Sequence, residues 1–116
     1  MAGAALTKSK AFAVRIIKLY KFLRDEKQEY AISRQIVRSG TSIGANLAEA
    51  EYGITRREFA TKLYIALKEC AETAYWLELL HDTEYLADEQ YESLDRDCQE
   101  IRRMLSAATK TIRQEQ

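Results

Sequence analysis

The sequence predicts an all-α fold in which residues 1–116 form one antiparallel, up-down-up-down four-helix bundle. The 116 residues include no proline and only four glycines, so little in the chain interrupts long helices or supplies the turns of a β fold. Apolar residues recur at steps of three and four in four separate stretches. The connections between these stretches are short, which turns each helix back on its predecessor.

The first two helices are expected over about residues 7–26 and 29–52. Gly53 is expected directly after the second helix, in the left-handed conformation that costs glycine least. The first helix has one apolar face, formed by Phe12, Ile16, Leu19 and Leu23. The second has a longer face with small residues in it: Ile32, Ile36, Ser39, Gly40, Ile43, Leu47 and Ala50.

The last two helices are expected over about residues 56–81 and 88–113. Thr55 and Glu58 have the spacing of a capping box, in which each side chain accepts a hydrogen bond from an unpaired backbone N–H. Asp88 is expected to be the N-cap of the fourth helix. The third helix is expected to bury Phe59, Leu63, Ala66, Cys70, Ala74 and Leu77. The fourth is expected to bury Tyr91, Leu94, Cys98, Ile101, Leu105, Ala108 and Ile112.

The composition is that of a globular protein, and it indicates neither a metal nor another cofactor. Hydrophobic residues make up 47% of the chain and charged residues 31%. The two cysteines, Cys70 and Cys98, fall on apolar faces, and a single histidine leaves no ligand set for zinc. Two buried free thiols in a reducing compartment are therefore expected, with a disulfide between them as the alternative.

The sequence does not predict contact with a membrane. No apolar run approaches the ~20 residues that a transmembrane helix needs. The short apolar stretch near the start is interrupted by Arg15 and Lys18 before the core of a signal peptide could form. We therefore expect a soluble, cytoplasmic protein.

The charges are distributed unevenly along a chain whose net charge is zero. Residues 1–27 hold seven basic and two acidic side chains, whereas residues 83–116 hold five basic and eight acidic ones. This asymmetry has two interpretations. The first helix could form a basic surface, or it could neutralise the last helix beside it, within one subunit or between neighbouring subunits.

The first and third helices carry more apolar side chains than one buried face requires. A helix that is apolar on several sides is usually buried on several sides, so the surplus favours a homo-oligomer. The candidate interface residues are Val14 and Ile17 on the first helix and Tyr64, Ile65, Tyr75, Trp76 and Leu79 on the third.

Small side chains are concentrated in the second helix, over residues 39–45. Glycine inside a helix costs about 1 kcal/mol relative to alanine, so its presence requires a reason. The favoured reason is close packing of a bulky neighbour, such as Trp76 or Tyr75, on the helix backbone. A phosphate-binding loop is the alternative, but the segment lacks the glycine spacing and the lysine of such a loop.

Two segments, residues 40–50 and 59–80, closely resemble the bacterial four helix bundle protein family, also called the 23S ribosomal RNA intervening-sequence protein family. The resemblance implies a four-helix bundle that assembles into a ring, with pentamers among its members. It also implies a relationship to the accessory variability determinant of diversity-generating retroelements, a ring-shaped nucleic-acid-binding protein. That protein is strongly basic, whereas this chain is neutral, so the resemblance implies fold and ring formation more directly than nucleic-acid binding.

The polar residues of the family motif correspond here to Asn46, Glu49, Lys68, Glu69 and Glu72. A structural role is favoured, in which these groups set the register between helices; Lys68 and Glu72 have the spacing of an ion pair within one helix. The alternative makes Glu49 and Glu72 a catalytic carboxylate pair. Since no nucleophile, metal cluster or histidine accompanies them, we do not expect an enzyme. His81, at the end of the third helix, is expected to complement the helix dipole.

Two functions of different classes follow from the sequence. The first is a homo-oligomeric structural or interaction protein whose further partner is an unidentified protein. The second is a ring that binds RNA or DNA through electrostatic contacts and loses affinity as salt rises. The candidate nucleic-acid contacts are Lys8, Lys10, Lys18, Lys21, Arg56 and Arg57.

Overall fold

A computed structural model describes residues 3–115, and this part of the chain is helical with no strand. The helices are α1 (Gly3–Asp25), α2 (Ala31–Ala50), α3 (Arg56–Asp82) and α4 (Asp88–Glu115). Each helix packs against its neighbours in sequence, and α4 also packs against α1. The helices therefore occupy the corners of a square, with α1 diagonally opposite α3 and α2 diagonally opposite α4. This arrangement confirms the up-down-up-down four-helix bundle.

The core consists of the faces that the apolar periodicity predicted, with small differences. Thr73 and Thr109 are buried although they are polar, and five predicted core residues are only partly buried: Ile32, Phe59, Ala74, Tyr91 and Ala108. The largest fully buried side chains come from all four helices: Phe12, Ile16, Leu23, Ile36, Ile43, Leu47, Leu77, Leu80, Ile101 and Leu105.

The start of α3 is the predicted capping box. Thr55 is the N-cap, and its hydroxyl accepts a hydrogen bond from the Glu58 backbone N–H at 3.1 Å. The Glu58 carboxylate accepts in return from the backbone N–H of Ile54 at 2.6 Å. Both side chains therefore satisfy backbone groups that lack a partner within the helix.

The predicted N-cap of α4 is wrong by one residue. The carbonyl of Ala87 accepts the first helical hydrogen bond, from the Tyr91 N–H at 3.0 Å, so Ala87 is the N-cap. The side-chain oxygen of Gln90 accepts from the Ala87 N–H at 3.1 Å. Asp88 is the first helical residue, where its negative charge still complements the helix dipole.

The helix α2 begins at Ala31, two residues later than predicted, because a glutamate before it caps the backbone. The buried Glu29 carboxylate accepts hydrogen bonds from the N–H groups of Ala31, Ile32 and Ser33, at 3.1, 3.0 and 2.7 Å. Three donors at the positive end of a helix satisfy this carboxylate inside the fold. The N-cap residue itself is Tyr30, and a glutamate one position before the N-cap is not a usual capping signal, so the sequence did not indicate this contact.

The prediction of a left-handed Gly53 is wrong, since no glycine among the described residues has a positive φ. Left-handed conformations occur instead at Gln28 (φ 49°) and Glu84 (φ 69°), after α1 and α3. Glu84 lies in a Schellman motif: the Tyr85 N–H donates to the Leu80 carbonyl at 2.9 Å, and the Glu84 N–H donates to that of His81 at 3.1 Å.

The small residues of α2 allow close contact with α1, and not with Trp76 or Tyr75 as the sequence suggested. A Cβ added at Gly40 would lie 2.8 Å from Cγ2 of Ile16. One turn later, a Cβ at Gly44 would lie 3.5 Å from Cβ of Ser9. The glycine at position 40 is therefore required by a buried isoleucine of the neighbouring helix.

Candidate interaction surfaces

Three of the seven candidate interface residues are exposed, and they lie on two different helices. On α1, Val14 is 47% exposed and Ile17 is 39% exposed, and on α3, Tyr75 is 55% exposed. Because α1 and α3 are diagonally opposite, their outward surfaces face opposite sides of the bundle. The four other candidates on α3 are partly buried: Tyr64, Ile65, Trp76 and Leu79.

Trp76 is held by contacts within its own helix. Its indole N–H donates a hydrogen bond of 2.9 Å to the Glu72 carboxylate. Its ring meets the ring of Tyr75 edge to face, with centroids 5.1 Å apart and an interplanar angle of 64°. Trp76 therefore supports Tyr75 from the side that faces the core.

Further apolar side chains are exposed in the connection between α2 and α3. Tyr52 is 87% exposed and Ile54 is 91% exposed, at the end of the bundle where α1 begins and α4 ends. Sequence reasoning missed both residues, because Tyr52 stood at the predicted end of the second helix, two residues beyond its actual end, and Ile54 stood in the predicted turn. The available signal was a pair of large apolar residues on either side of Gly53 in a turn.

The polar residues of the motif join α2 to α3 within the subunit. Arg38 donates to Glu69 at 3.2 Å and also pairs with Glu72. Nearer the α2–α3 connection, Lys62 pairs with Glu49 at 2.7 Å. The two ion-pair sites lie about ten α3 residues apart, or roughly 15 Å along the helix axis. Arg38 is the connecting residue that sequence reasoning missed, because its partners lie on another helix.

Within residues 3–115, the two other motif residues, Asn46 and Lys68, form no hydrogen bond or ion pair with another helix. The Asn46 side-chain amide donates to the carbonyl of Ser42, one turn earlier in α2, at 2.8 Å. The predicted ion pair of Lys68 with Glu72 is wrong, since the Glu72 carboxylate is bound by Arg38 and Trp76 and Lys68 is exposed.

The structure does not bring the two carboxylates of the catalytic alternative together. Glu49 and Glu72 occupy the two separate ion-pair sites between α2 and α3, and each is neutralised by its own cation. Within residues 3–115 there is also no cluster of three side chains that could hold a metal ion.

The six candidate nucleic-acid contacts separate into three groups. Lys8 faces α4, where it pairs with Asp97 at 3.3 Å and with Glu100 at 2.9 Å. Arg56 pairs with the Glu115 carboxylate, and Arg57 beside it is exposed. The other three are exposed, have no ion pair within the described chain and lie on the outer side of α1: Lys10, Lys18 and Lys21.

Ion pairs between α1 and α4 account for part of the charge asymmetry. The Arg15 guanidinium donates to Asp97 at 2.7 Å and to the Ser93 hydroxyl at 2.9 Å, and Lys8 binds the same aspartate. Burial alone would raise the pKa of Asp97, but the hydrogen bonds from Arg15 and Lys8 outweigh it and hold that pKa below its usual value. The first helix thus neutralises two acidic residues of the last one within the subunit, Asp97 and Glu100.

His81 connects the end of α3 to the start of α4. Its Nε2 lies 2.7 Å from the Asp88 carboxylate, and its ring stacks on that of Tyr91 with centroids 4.3 Å apart. The contact with Asp88 therefore joins the end of α3 to the start of α4, and it gives His81 a structural role.

The two cysteines meet in the core between α3 and α4. Cys70 and Cys98 are free thiols, both are buried, and their Sγ atoms lie 3.7 Å apart. The hydrogen bond between them lowers the pKa of Cys70 and raises that of Cys98, because the thiol that keeps its proton stabilises the other as a thiolate.

An apolar cavity of about 320 Å³ lies at the same end of the bundle as the exposed Tyr52 and Ile54. It is bordered by the start of α1, the start of α3 and the end of α4, and the Arg56–Glu115 ion pair stands beside it. Its larger apolar lining residues are Phe59, Leu63, Met104, Leu105 and Ile112.

Comparison with known proteins decides the family. The family described as 23S rRNA-intervening sequence protein matches residues 4–107, which is most of the chain. The chain belongs to this family. The two segments that carried the resemblance form much of α2 and α3, the helices joined by the ion pairs of Arg38 and Lys62.

A solved structure has the same fold as this chain. It is a protein of unknown function from the S23 ribosomal protein family of Bacteroides thetaiotaomicron VPI-5482, determined at 1.70 Å resolution. The two chains are 55% identical, and the TM-score is 0.91 over 93% of this chain and 96% of that one. No curated protein matches the chain. None of the helices within residues 3–115 is long and apolar enough to cross a membrane.

Proposed function

We propose that this family member is a non-enzymatic, homo-oligomeric structural or interaction module. Its subunits assemble head to tail, with the outer surface of α1 on one subunit against the outer surface of α3 on the next. The observation that carries the proposal is the exposure of Val14 and Ile17 on one side of the bundle and of Tyr75 on the opposite side. Fully burying a side chain of this size contributes about 1.5–3 kcal/mol.

The opposite placement of the two apolar surfaces favours head-to-tail assembly over two-fold pairing. A two-fold dimer brings one surface against itself and would leave the other surface exposed. Contact between two different surfaces repeats from subunit to subunit, and it closes into a ring when the rotation permits. The resemblance to pentameric members implies that five subunits close this ring.

The charges around the two surfaces also fit each other. On α1, Lys10 and Lys18 lie one turn before and after Val14. On α3, Glu78 and Asp82 are exposed at three and seven residues beyond Tyr75. Lys68 is also exposed, seven residues before Tyr75, so opposite charges would meet only in the part of the contact that holds Glu78 and Asp82. In that part the charges favour the head-to-tail contact over the contact of the α1 surface with itself.

Assembly is tested by measuring solution mass with light scattering during size exclusion for Val14→Glu and Tyr75→Glu. Each variant places a carboxylate in the proposed contact, and we expect assembly to weaken at least about tenfold, which corresponds to 1.4 kcal/mol. Ala107→Glu is the matched control, since Ala107 is exposed on α4 and its variant carries the same added charge. A wild-type monomer at all concentrations would overturn the proposal.

A mixing experiment distinguishes head-to-tail assembly from two-fold pairing. Val14→Glu keeps an intact α3 surface and Tyr75→Glu keeps an intact α1 surface, so an equal mixture should form a discrete one-to-one heterodimer. Two-fold pairing through α1 alone or α3 alone would instead leave one of the variants able to dimerise by itself.

The second candidate function is electrostatic binding of RNA or DNA. The observation that favours it is the exposure of Lys10, Lys18 and Lys21 on the outer side of α1, over roughly 16 Å of helix. The same side carries Val14 and Ile17, so subunit contact and nucleic-acid binding compete for one surface. This competition is the reason for ranking assembly first.

Nucleic-acid binding is tested with a short single-stranded RNA at low and high salt. Binding through these lysines should weaken steeply with salt, and the triple change of Lys10, Lys18 and Lys21 to Gln should flatten that dependence. Lys8→Gln is the control, because Lys8 is already paired with α4. Equal binding by the triple variant and the wild type would exclude this use of α1.

A further inference from the structure

We propose that Cys70 and Cys98 form a site of reversible oxidative modification, at which a peroxide converts the two thiols into a disulfide between α3 and α4. The proposal rests on position: the two Sγ atoms come from different helices and lie 3.7 Å apart. The Sγ atom of each cysteine also lies close to the backbone carbonyl oxygen of the other, at 3.3 Å and 3.5 Å. Each thiol therefore lies against both the sulfur and the backbone carbonyl of the other cysteine.

Each Sγ atom lies within 3.5 Å of a backbone carbonyl oxygen of the other helix, so the two helices are in close contact at this level. Ala66 and Ala74 lie one turn before and after Cys70 on α3, so small side chains border the pair on this helix. A disulfide needs the sulfur atoms about 2.05 Å apart, roughly 1.6 Å closer than they stand in the dithiol. Small rotations of both side chains about χ1 supply a movement of this size without separating the helices.

The chemistry needs one molecule of hydrogen peroxide for each disulfide. The Cys70 thiolate attacks one peroxide oxygen and the O–O bond breaks, which gives a sulfenic acid on Cys70 and a hydroxide that takes up a proton to become water. The Cys98 sulfur then attacks the sulfur of Cys70. Hydroxide leaves with the Cys98 proton as a second water, so two thiols and one peroxide give one disulfide and two waters.

The order of attack follows from the contact between the thiols. The two Sγ atoms lie 3.7 Å apart, and their contact lowers the pKa of Cys70 and raises that of Cys98, which favours Cys70 as the attacking thiolate. Both sulfurs are buried, so peroxide reaches them only when α3 and α4 separate locally. Slow reaction in the folded state and faster reaction under mild destabilisation are therefore expected.

The disulfide would restrict the unfolded chain, because the two cysteines are 28 positions apart in the sequence. Closing a loop of this length lowers the entropy of the unfolded ensemble, so the oxidised protein should unfold at a higher temperature than the reduced protein. Dithiothreitol should return the melting temperature to its starting value. Methionine oxidation by the same peroxide would not be reversed by dithiothreitol, which separates the two modifications.

The test treats the full-length protein with increasing hydrogen peroxide, denatures it, alkylates remaining thiols with iodoacetamide and measures intact mass. We expect loss of two hydrogen atoms and of both alkylation sites together, with an unchanged monomer on a non-reducing denaturing gel. Cys70→Ala and Cys98→Ala should each lose the intramolecular product. Circular dichroism checks that both variants fold. If Cys70→Ala does not fold, Cys70→Ser replaces it.

Three outcomes would overturn the proposal. The first is that both thiols remain free and are alkylated at peroxide concentrations that already oxidise methionine in the same sample. The second is a covalent dimer on the non-reducing gel in place of the intramolecular product. The third is a product that dithiothreitol does not reverse, which would place the thiols beyond the sulfenic stage.

Discussion

The hydroxyl groups of Ser39 and Thr73 are hydrogen-bonded at 2.9 Å in the buried layer between α2 and α3. The Thr73 hydroxyl also lies 2.8 Å from the carbonyl oxygen of Glu69. Each hydroxyl has one proton, so both contacts are satisfied when Ser39 donates to Thr73 and Thr73 donates to Glu69. Two polar residues inside an apolar layer thereby set the register of α3 against α2.

Thr73→Val should lower the free energy of unfolding by about 1–2 kcal/mol. Valine keeps the shape of threonine but removes the hydroxyl, which leaves the buried Ser39 hydroxyl without its partner on α3. Urea unfolding followed by circular dichroism measures the change. In the double variant with Ser39→Ala both hydroxyls are absent, so the two effects should not add. Additive effects would show that the hydrogen bond makes no net contribution.

Gly40→Ala should destabilise the bundle although alanine is the better helix former. The added methyl group would meet the buried Ile16 side chain at 2.8 Å, and overpacking of this kind costs about 1–3 kcal/mol. Helix propensity offsets about 1 kcal/mol of this cost. Gly44→Ala is the matched control, because its nearest neighbour lies at an ordinary 3.5 Å. We expect the urea midpoint of Gly40→Ala to be lower than that of the wild type. The midpoint of Gly44→Ala should be equal to that of the wild type or higher.

Glu84→Gly should raise the free energy of unfolding by about 0.5–1 kcal/mol. Glu84 has φ 69° in the Schellman motif after α3, a conformation that glycine adopts without the steric cost of a Cβ. The greater freedom of glycine in the unfolded chain reduces the gain. Glu84→Ala is the control, since it removes the carboxylate and keeps the Cβ. Equal stabilisation by both variants would assign the effect to charge instead of backbone conformation.

Asp97 should make the stability of the bundle depend on pH in the acid range. Its contacts with Arg15 and Lys8 hold its pKa in the folded protein below the usual 3.8. A lowered pKa contributes stability that is present above the unfolded value and is lost as pH falls through the folded value. Asp97→Asn should therefore cost about 1 kcal/mol or less near neutral pH and progressively less below pH 3.8.

The pH effect is measured as the difference in unfolding free energy between wild type and variant at several pH values. Glu92→Gln is the control, because Glu92 is exposed on α4 and has no ion pair within residues 3–115. Its difference from wild type should stay flat over the same range. A flat difference for Asp97→Asn as well would contradict the ion pairs between α1 and α4.

Much of the fold could be predicted because the relevant signals are local. The recurrence of Phe12, Ile16, Leu19 and Leu23 at steps of three and four identifies a buried helix face without any knowledge of its partner. Thr55 and Glu58 likewise identify a helix start within four residues of sequence.

The errors occurred where the chain ends a helix or where two helices meet. Gly53 was the expected left-handed residue by composition, yet the path of the chain places Glu84 and Gln28 in that conformation. Lys68 lies four residues before Glu72 in the sequence, but it is Arg38 on α2 that forms the ion pair with Glu72. Such choices depend on the distance between elements, which sequence spacing does not contain.

By itself, the sequence determined the number of helices, their buried faces and the surplus of apolar side chains on α1 and α3, because each of these is a property of helical periodicity. Only the tertiary structure decided that α1 and α3 stand diagonally, so that Val14 and Tyr75 face opposite sides. It also decided that Cys70 meets Cys98 and that Lys8 is paired while Lys10 is exposed. The physical reason is that these relationships depend on how the helices are arranged in three dimensions, and residues far apart in sequence become neighbours only in the packed bundle.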